Sequence, residues 1–151
     1  MKKALISSLL CLSFALPVVA ATAFTDGKDA VSYRQANFQM IRHNMGDIQD
    51  MIRGNVAFDV ERVKRRAEAL ALLSRLPWET FTVPGTQAAG GEVKPAIWDN
   101  LVDVQERGEK LAADAAALLV AAKAGEQAAI RKAFSDYARN CKACHDKYKA
   151  D

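Results

Sequence analysis

Apolar residues recur at steps of three and four along four segments of the chain, and no segment alternates apolar with polar residues over any length. Steps of three and four put the apolar side chains on one face of an α-helix, whereas a half-buried strand needs a period of two. The spacing therefore predicts an all-α protein built from four amphipathic helices.

The first two predicted helices cover residues 29–53 and 59–76. Gly54 and Asn55 end the first, and Pro77 stops the second. The inward stripe of the first helix is Phe38, Ile41, Met45, Ile48 and Ile52. That of the second is Val60, Val63, Ala67, Leu70 and either Leu73 or Leu72.

The third predicted helix covers residues 95–124, with Pro95 in its first turn and Gly125 after its end, and the fourth covers residues 126–149. Their inner faces are Ile97, Leu101, Val104, Leu111, Ala115 and Leu118, then Ile130, Phe134, Tyr137, Cys141, Cys144 and Tyr148. Short connections join the first helix to the second and the third to the fourth. The sequence therefore predicts an antiparallel up-down-up-down four-helix bundle.

One long connection, residues 77–94, separates the two helical pairs and holds two prolines and three glycines. Loops longer than about 15 residues usually have a function or are disordered. Because Trp78 and Phe81 are large apolar groups within this connection, we expect it to pack against something.

Residues 1–23 read as a secretory signal peptide, with two lysines, an apolar run over residues 4–16 and a small-residue exit ending at Ala23. Cleavage after Ala20 or Ala21 also fits the pattern. The alternative is a membrane anchor, but a helix that crosses a bilayer needs roughly 20 apolar residues. We expect no membrane insertion after this segment is removed.

Removal of the leader takes Lys2, Lys3 and Cys11 with it. Cys11 follows a leucine, whereas a lipidated cysteine normally follows a small residue, so we treat it as a discarded apolar residue. Of 21 basic residues 19 then remain against 18 acidic ones, a net charge of +1, which argues against nucleic-acid binding. The remaining cysteines are Cys141 and Cys144, and export would favour a disulfide between them.

The chain closes on "RNCKACHDKYKAD", in which His145 directly follows the second cysteine. A disulfide and a redox-active pair are two interpretations of Cys141 and Cys144, but neither needs that histidine. Covalent haem attachment needs all three residues: the thiols form thioethers with the porphyrin vinyl groups, and the imidazole binds the iron. A zinc site is less suited, because His43 is the one other histidine. The motif favours haem, with His145 as the metal ligand.

A C-x-x-C-H motif near the end of a four-helix bundle resembles cytochrome c′, the class II cytochromes c. The resemblance extends over residues 24–151, the predicted haem domain. The segments that carry it are "AVSYRQANFQM", "LPWETF", "PAIW" and "CKACHDKY". It implies one covalently bound haem c per chain and a periplasmic location.

The resemblance also implies which residues lie on the distal side of the haem. Arg34 matches the family's arginine on the first helix, and Gln35 matches a neighbour kept near the haem. One interpretation of Arg34 is a solvated cation, but because it shares a face with Phe38 we favour a contact with a haem propionate, whose charge it would neutralise. Phe38 falls where low-spin relatives have a liganding methionine, and phenylalanine has no lone pair for iron. Met40 and Met45 are each displaced from that position around or along the helix, so we expect them to pack. The iron is then five-coordinate.

The family takes up NO and, less readily, CO, so the resemblance implies a gas-binding haem protein. Trp78 and Phe81 would wall the haem edge. Members commonly dimerise through their first two helices, and Met40 and Val31 are available for a homodimer contact. Lys149 stands where the family usually has an arginine near the proximal imidazole, and lysine lacks that planar fork.

Two other functions stay open. One is a soluble electron carrier without a gas role, although carriers usually keep a six-coordinate iron. The other is an enzyme that reduces NO or peroxide, which we rank last because the sequence shows no catalytic dyad and no polar distal group. The redox partner is not identified by the sequence.

Overall fold

A computed structural model describes residues 23–150, and within that range the chain forms four α-helices. They are α1 Gly27–Arg53, α2 Val60–Leu73, α3 Leu101–Ala124 and α4 Gln127–Tyr148, with 3₁₀ turns at Trp78–Phe81 and Pro95–Asn100. Consecutive helices pack against each other, which confirms the predicted up-down-up-down bundle. The predicted signal peptide lies, apart from its last residue, outside the described residues. No described helix is both long enough and apolar enough to cross a membrane.

Local sequence sets where the helices begin and end. The Asp26 carboxylate accepts hydrogen bonds from the backbone N–H groups of Lys28 and Asp29, at 2.8 and 2.9 Å, and so caps α1. Gly54 ends α1 in the left-handed conformation, with φ of 79°, as predicted. Gly125 ends α3 in the same way, with φ of 77°.

Two boundaries differ from the prediction by three residues or more. Helix α2 ends at Leu73 rather than at residue 76, because the chain tightens into three-residue turns as it approaches Pro77. The third predicted helix begins with a 3₁₀ segment. There the Asn100 side chain donates to the Ala96 carbonyl at 2.8 Å, a local bond that competes with regular helix.

The buried apolar residues form two groups. The bundle core lies among the four helices and includes Ile41, Ile48, Leu70, Leu118, Ile130 and Tyr137. The end cluster consists of the buried residues Phe81, Ile97, Val104 and Tyr148. Trp78 packs against both groups, which gives the long connection the packing partner that the sequence predicted.

The buried face of α1 differs from the predicted stripe. Asn37 and Asn44 are buried at its centre, whereas Phe38 is half-buried at its flank. The packing predicted for Met40 is wrong, since this residue is 49% exposed. Val31 is 7% exposed, so it is not available for the contact between subunits that the sequence suggested.

Candidate functional site

The last turns of α4 present the three residues of the C-x-x-C-H motif. Cys141 and Cys144 are both free thiols, half-buried and one helical turn apart. Cys141 packs against the bundle core and Cys144 against the end cluster, whereas His145 is exposed. The prediction that both cysteines face inward is confirmed, and the thiols lie where the two apolar groups meet.

The surroundings of these side chains keep them uncharged at neutral pH. Burial raises the pKa of Cys141 to about 11 and also raises that of Cys144, although nearby Arg107 opposes the second shift. Partial desolvation of the ring, followed by the charge of Lys149, lowers the pKa of His145. A redox-active pair depends on a lowered thiol pKa, so these shifts disfavour that interpretation. A neutral imidazole is the form that coordinates iron.

Arg34 is a buried cation, 3% exposed, on the inner face of α1. Its guanidinium lies 4.3 Å from the centre of the Phe81 ring, and its Nη1 donates to the hydroxyls of Thr80 and Thr86 at 3.4 and 3.3 Å. Nη2 has no hydrogen-bond partner among the described residues. Burial lowers the pKa of Arg34, because it disfavours the charged guanidinium. A carboxylate at Nη2 would offset that desolvation penalty. The unpaired nitrogen marks a place for an anionic group.

A run of four aromatic rings connects α1 to the start of α3. The centroids of Phe38 and Trp78 are 6.0 Å apart, those of Trp78 and Phe81 6.4 Å, and those of Phe81 and Trp98 5.9 Å. The sequence predicted Trp78 and Phe81 as one wall, and the structure brings Phe38 and Trp98 to the same wall. Such a surface suits a large flat apolar ligand.

The segment after the glycines of the long connection ties down the end of α4. The Lys94 N–H donates to the Tyr148 carbonyl at 2.8 Å, and the Ala150 N–H donates to the Glu92 carbonyl at 3.2 Å. Lys149 forms an ion pair with Glu92 at 3.4 Å. The residues that follow His145 are therefore fixed against this segment.

Hydrogen bonds to a carboxylate of α3 also hold the end of α4. Asp103 accepts hydrogen bonds from Arg107 at 2.8 Å and Lys147 at 3.1 Å, and also from the hydroxyl of Tyr148. These bonds, first that from Arg107, hold the pKa of Asp103 well below its usual range. One carboxylate thus anchors the turn that carries the motif.

These features fit a covalently held haem. Two neutral thiols one turn apart face apolar surroundings, which suits addition to the vinyl groups of a porphyrin. The adjacent imidazole can take the iron, and the unpaired Nη2 of Arg34 can take a propionate. Cys141, Cys144 and His145 would hold the group, with Arg34 as the counter-charge.

The predicted site residues do not all come together. Arg34, Phe38, Trp78 and Phe81 are in direct contact with one another through ring and cation contacts. Gln35 is exposed beside Arg34, so its place at the haem stays a prediction. His43 is exposed.

Sequence reasoning missed four residues of this region, namely Asn37, Thr80, Thr86 and Gly108. The two threonines carry no pattern that separates them from other loop residues. Gly108 does, because a glycine in a helix interior costs stability and often marks a close approach of another group. Asn37 is 1% exposed with both polar atoms unpaired among the described residues.

Comparison with known proteins identifies the family. The family model described as Cytochrome C′ matches residues 29–149. Cytochrome c′ of Alcaligenes xylosoxydans xylosoxydans is 34% identical over 126 residues, which cover 83% of this chain and 97% of that protein.

Solved structures share the fold. Cytochrome c prime from Shewanella frigidimarina has a TM-score of 0.80 and 38% identity, covering 85% of this chain and 99% of that chain. A ferrous arginine-to-lysine variant of the Alcaligenes xylosoxidans protein, with bound NO, has a TM-score of 0.78 and 34% identity, covering 85% and 98%. A leucine-to-glycine variant of the same protein, with bound carbon monoxide, has the same score and identity, covering 85% and 99%.

Proposed function

Because the chain belongs to the cytochrome c′ family, we propose that it is an exported haem protein that binds small diatomic gases at a five-coordinate iron. The family's cofactor is covalently attached haem c. The observation that carries the proposal is the geometry of α4, where two free, inward-facing thiols pack against the same two apolar groups as Trp78 and an exposed histidine follows them.

Cys141 and Cys144 would anchor the porphyrin as thioethers, and His145 would be the one protein ligand to the metal. Iron held by a single imidazole supplies an open coordination position to which a diatomic molecule can bind. The two ties on α4, from Asp103 and from the segment 92–94, fix the turn that presents the histidine. Lys149, paired with Glu92, adds a positive charge near His145 but not the planar fork of an arginine.

Arg34 would neutralise one propionate, since its Nη2 is buried and unpaired while Nη1 is held by Thr80 and Thr86. Gln35 is a candidate second partner for the propionates. Trp78 and Phe81 would cover the haem edge. Their rings are stacked at an interplanar angle of 20° and so form one continuous apolar surface.

Phe38 would cover the open position of the iron. Its ring contacts Trp78 and packs against the bundle core. Met40, the thioether nearest to Phe38 in sequence, is 49% exposed and therefore does not compete for the site. An apolar cover disfavours O₂, which needs a polar partner, and leaves NO and CO as ligands that can displace the ring.

Location and assembly follow from the same proposal. Residues 1–23 would direct export to the periplasm and be removed. A homodimer through α1 and α2 is supported by the exposed apolar side chains of Tyr33, Met40 and Leu72. We propose ligand binding rather than turnover as the role.

The optical spectrum of the ferrous holoprotein, recorded with and without NO, tests the proposal. We expect a five-coordinate high-spin spectrum that changes to an NO-bound form when the gas is added. A six-coordinate low-spin spectrum that NO leaves unchanged would instead support an electron carrier without a gas role.

A further inference from the structure

The middle of α3 carries a buried glycine at the point where Trp78 packs. A Cβ built on Gly108 would lie 2.5 Å from Cδ2, 2.7 Å from Cε2 and 2.8 Å from Cγ of the indole. Side chains in ordinary van der Waals contact keep such atoms at 3.4–4 Å. The Trp78 ring therefore lies directly against the α3 backbone, and only glycine permits that position.

The indole is held on two further sides. Its Nε1 donates to the Ser74 carbonyl at 2.7 Å, and Phe81 stacks on it with centroids 6.4 Å apart. Since the ring also lies against the α3 backbone at Gly108, it has little freedom to tilt or shift. Trp78 is therefore a fixed wall rather than a mobile loop side chain.

Phe38 is a further contact of this wall. The two rings meet edge to face, with centroids 6.0 Å apart and an interplanar angle of 76°. Any movement of the Phe38 ring toward Trp78 is thus limited by how far Trp78 lies from α1. Gly108 contributes to setting that distance, because the indole lies directly against it.

We propose that Gly108 is a positioning residue for the distal pocket: through Trp78 it fixes the space into which Phe38 moves when a diatomic ligand binds. This inference rests on the proposed function, in which Phe38 covers the iron. On this proposal, a methyl group at residue 108 would displace the indole by about 1 Å, from 2.5 Å to at least 3.4 Å, and reduce the space left to Phe38. Phe38 would then retreat less readily, and ligands would bind more weakly.

The alternative is that Gly108 serves packing alone, by letting α3 approach the Trp78–Phe81 turn. Both roles predict that a substitution lowers stability. Only the positioning role predicts that the effect on ligand affinity passes through Phe38. A double-mutant cycle between the two residues separates them.

The test uses the haem-loaded protein and measures the CO affinity of the ferrous form for wild type, Gly108→Ala, Phe38→Ala and the double variant. We expect Gly108→Ala to lower affinity about fivefold, the factor that about 1 kcal/mol of added displacement cost produces. In the Phe38→Ala background the same substitution should change affinity less than about twofold. Crystal structures should show the Trp78 and Phe38 rings displaced in Gly108→Ala.

Gly46→Ala is the matched control, because Gly46 is also in a helix and a Cβ there meets nothing within 4 Å. It should leave CO affinity unchanged. If Gly108→Ala does not yield folded holoprotein, Trp78→Phe replaces it in the cycle, and the smaller ring should raise CO affinity only when Phe38 is present.

Equal effects of Gly108→Ala with and without Phe38 would overturn the inference while leaving the gas-binding function intact. So would an unchanged CO affinity in Gly108→Ala. If Phe38→Ala itself behaves like wild type, the proposed role of Phe38 fails, and the role of Gly108 fails with it.

Discussion

The Ser74 hydroxyl oxygen lies 2.8 Å from the phenolic oxygen of Tyr137, and both residues are fully buried. The bond joins the end of α2 to α4, one turn before Cys141. Burial raises the pKa of Tyr137 far above its usual range, so the phenol stays protonated and can donate. The Ser74 carbonyl also holds Trp78, at 2.7 Å. This serine therefore connects the bundle core to the aromatic wall of the site.

Removing the phenolic hydroxyl of Tyr137 should show how much this hydrogen bond contributes to stability. Tyr137→Phe leaves the Ser74 hydroxyl buried without its partner, and we expect the free energy of unfolding to fall by about 1–3 kcal/mol. Adding Ser74→Ala should recover part of that loss, because no unpaired polar group remains. Chemical denaturation of the holoproteins measures both values. A double variant no more stable than Tyr137→Phe would show that the hydrogen bond is not the cause.

Asp103 should make stability depend on acid pH. Its pKa is lowered in the folded protein, so its contribution is present above the unfolded value of about 4 and is lost as pH falls through the folded value. Asp103→Asn should therefore lower the melting temperature at pH 7, and its difference from wild type should shrink below about pH 4.

Melting curves of the holoproteins, recorded from about pH 3 to about pH 7, measure this difference in melting temperature. The range includes the unfolded pKa of about 4. Asp99→Asn is the control, since Asp99 is an exposed carboxylate ahead of α3. A difference between Asp103→Asn and wild type that stays constant down to pH 3 would contradict the assigned role.

The attachment of haem has a direct chemical test. Denaturing mass spectrometry of the mature protein should show the chain plus one haem, because thioethers to Cys141 and Cys144 survive unfolding. Replacing either cysteine with alanine should leave a single thioether, and replacing both should release the haem on denaturation. A mass equal to the bare chain less two hydrogens would mean a disulfide.

The fold was predictable because the residues that set it act locally. The apolar steps of three and four predicted the four helices, and Gly54 and Gly125 correctly predicted where α1 and α3 end. The end of α2 was placed too late, since the approach to Pro77 tightens the chain before the proline itself. That effect depends on hydrogen bonds that the sequence does not display.

The site was predictable only in part. The motif on α4 is contiguous, so its three residues could be named from their spacing. The contact of Trp78 with Gly108, and the hydrogen bonds that Arg34 donates to two threonines, depend on how the long connection folds back over the bundle. Periodicity ranks α1 positions by hydrophobicity, so it favoured Phe38 over the more deeply buried Asn37.

The CO affinity of ferrous Phe38→Ala tests the central claim most directly, namely that this ring covers an open position on the iron. If displacing the ring costs about 2.7 kcal/mol, its removal should raise affinity about a hundredfold. Because the ring is half-buried, its loss should lower the free energy of unfolding by about 1–2 kcal/mol. An increase of that order in CO affinity, with high-spin iron in wild type, is the predicted result. Unchanged affinity and unchanged spin state in Phe38→Ala would contradict it.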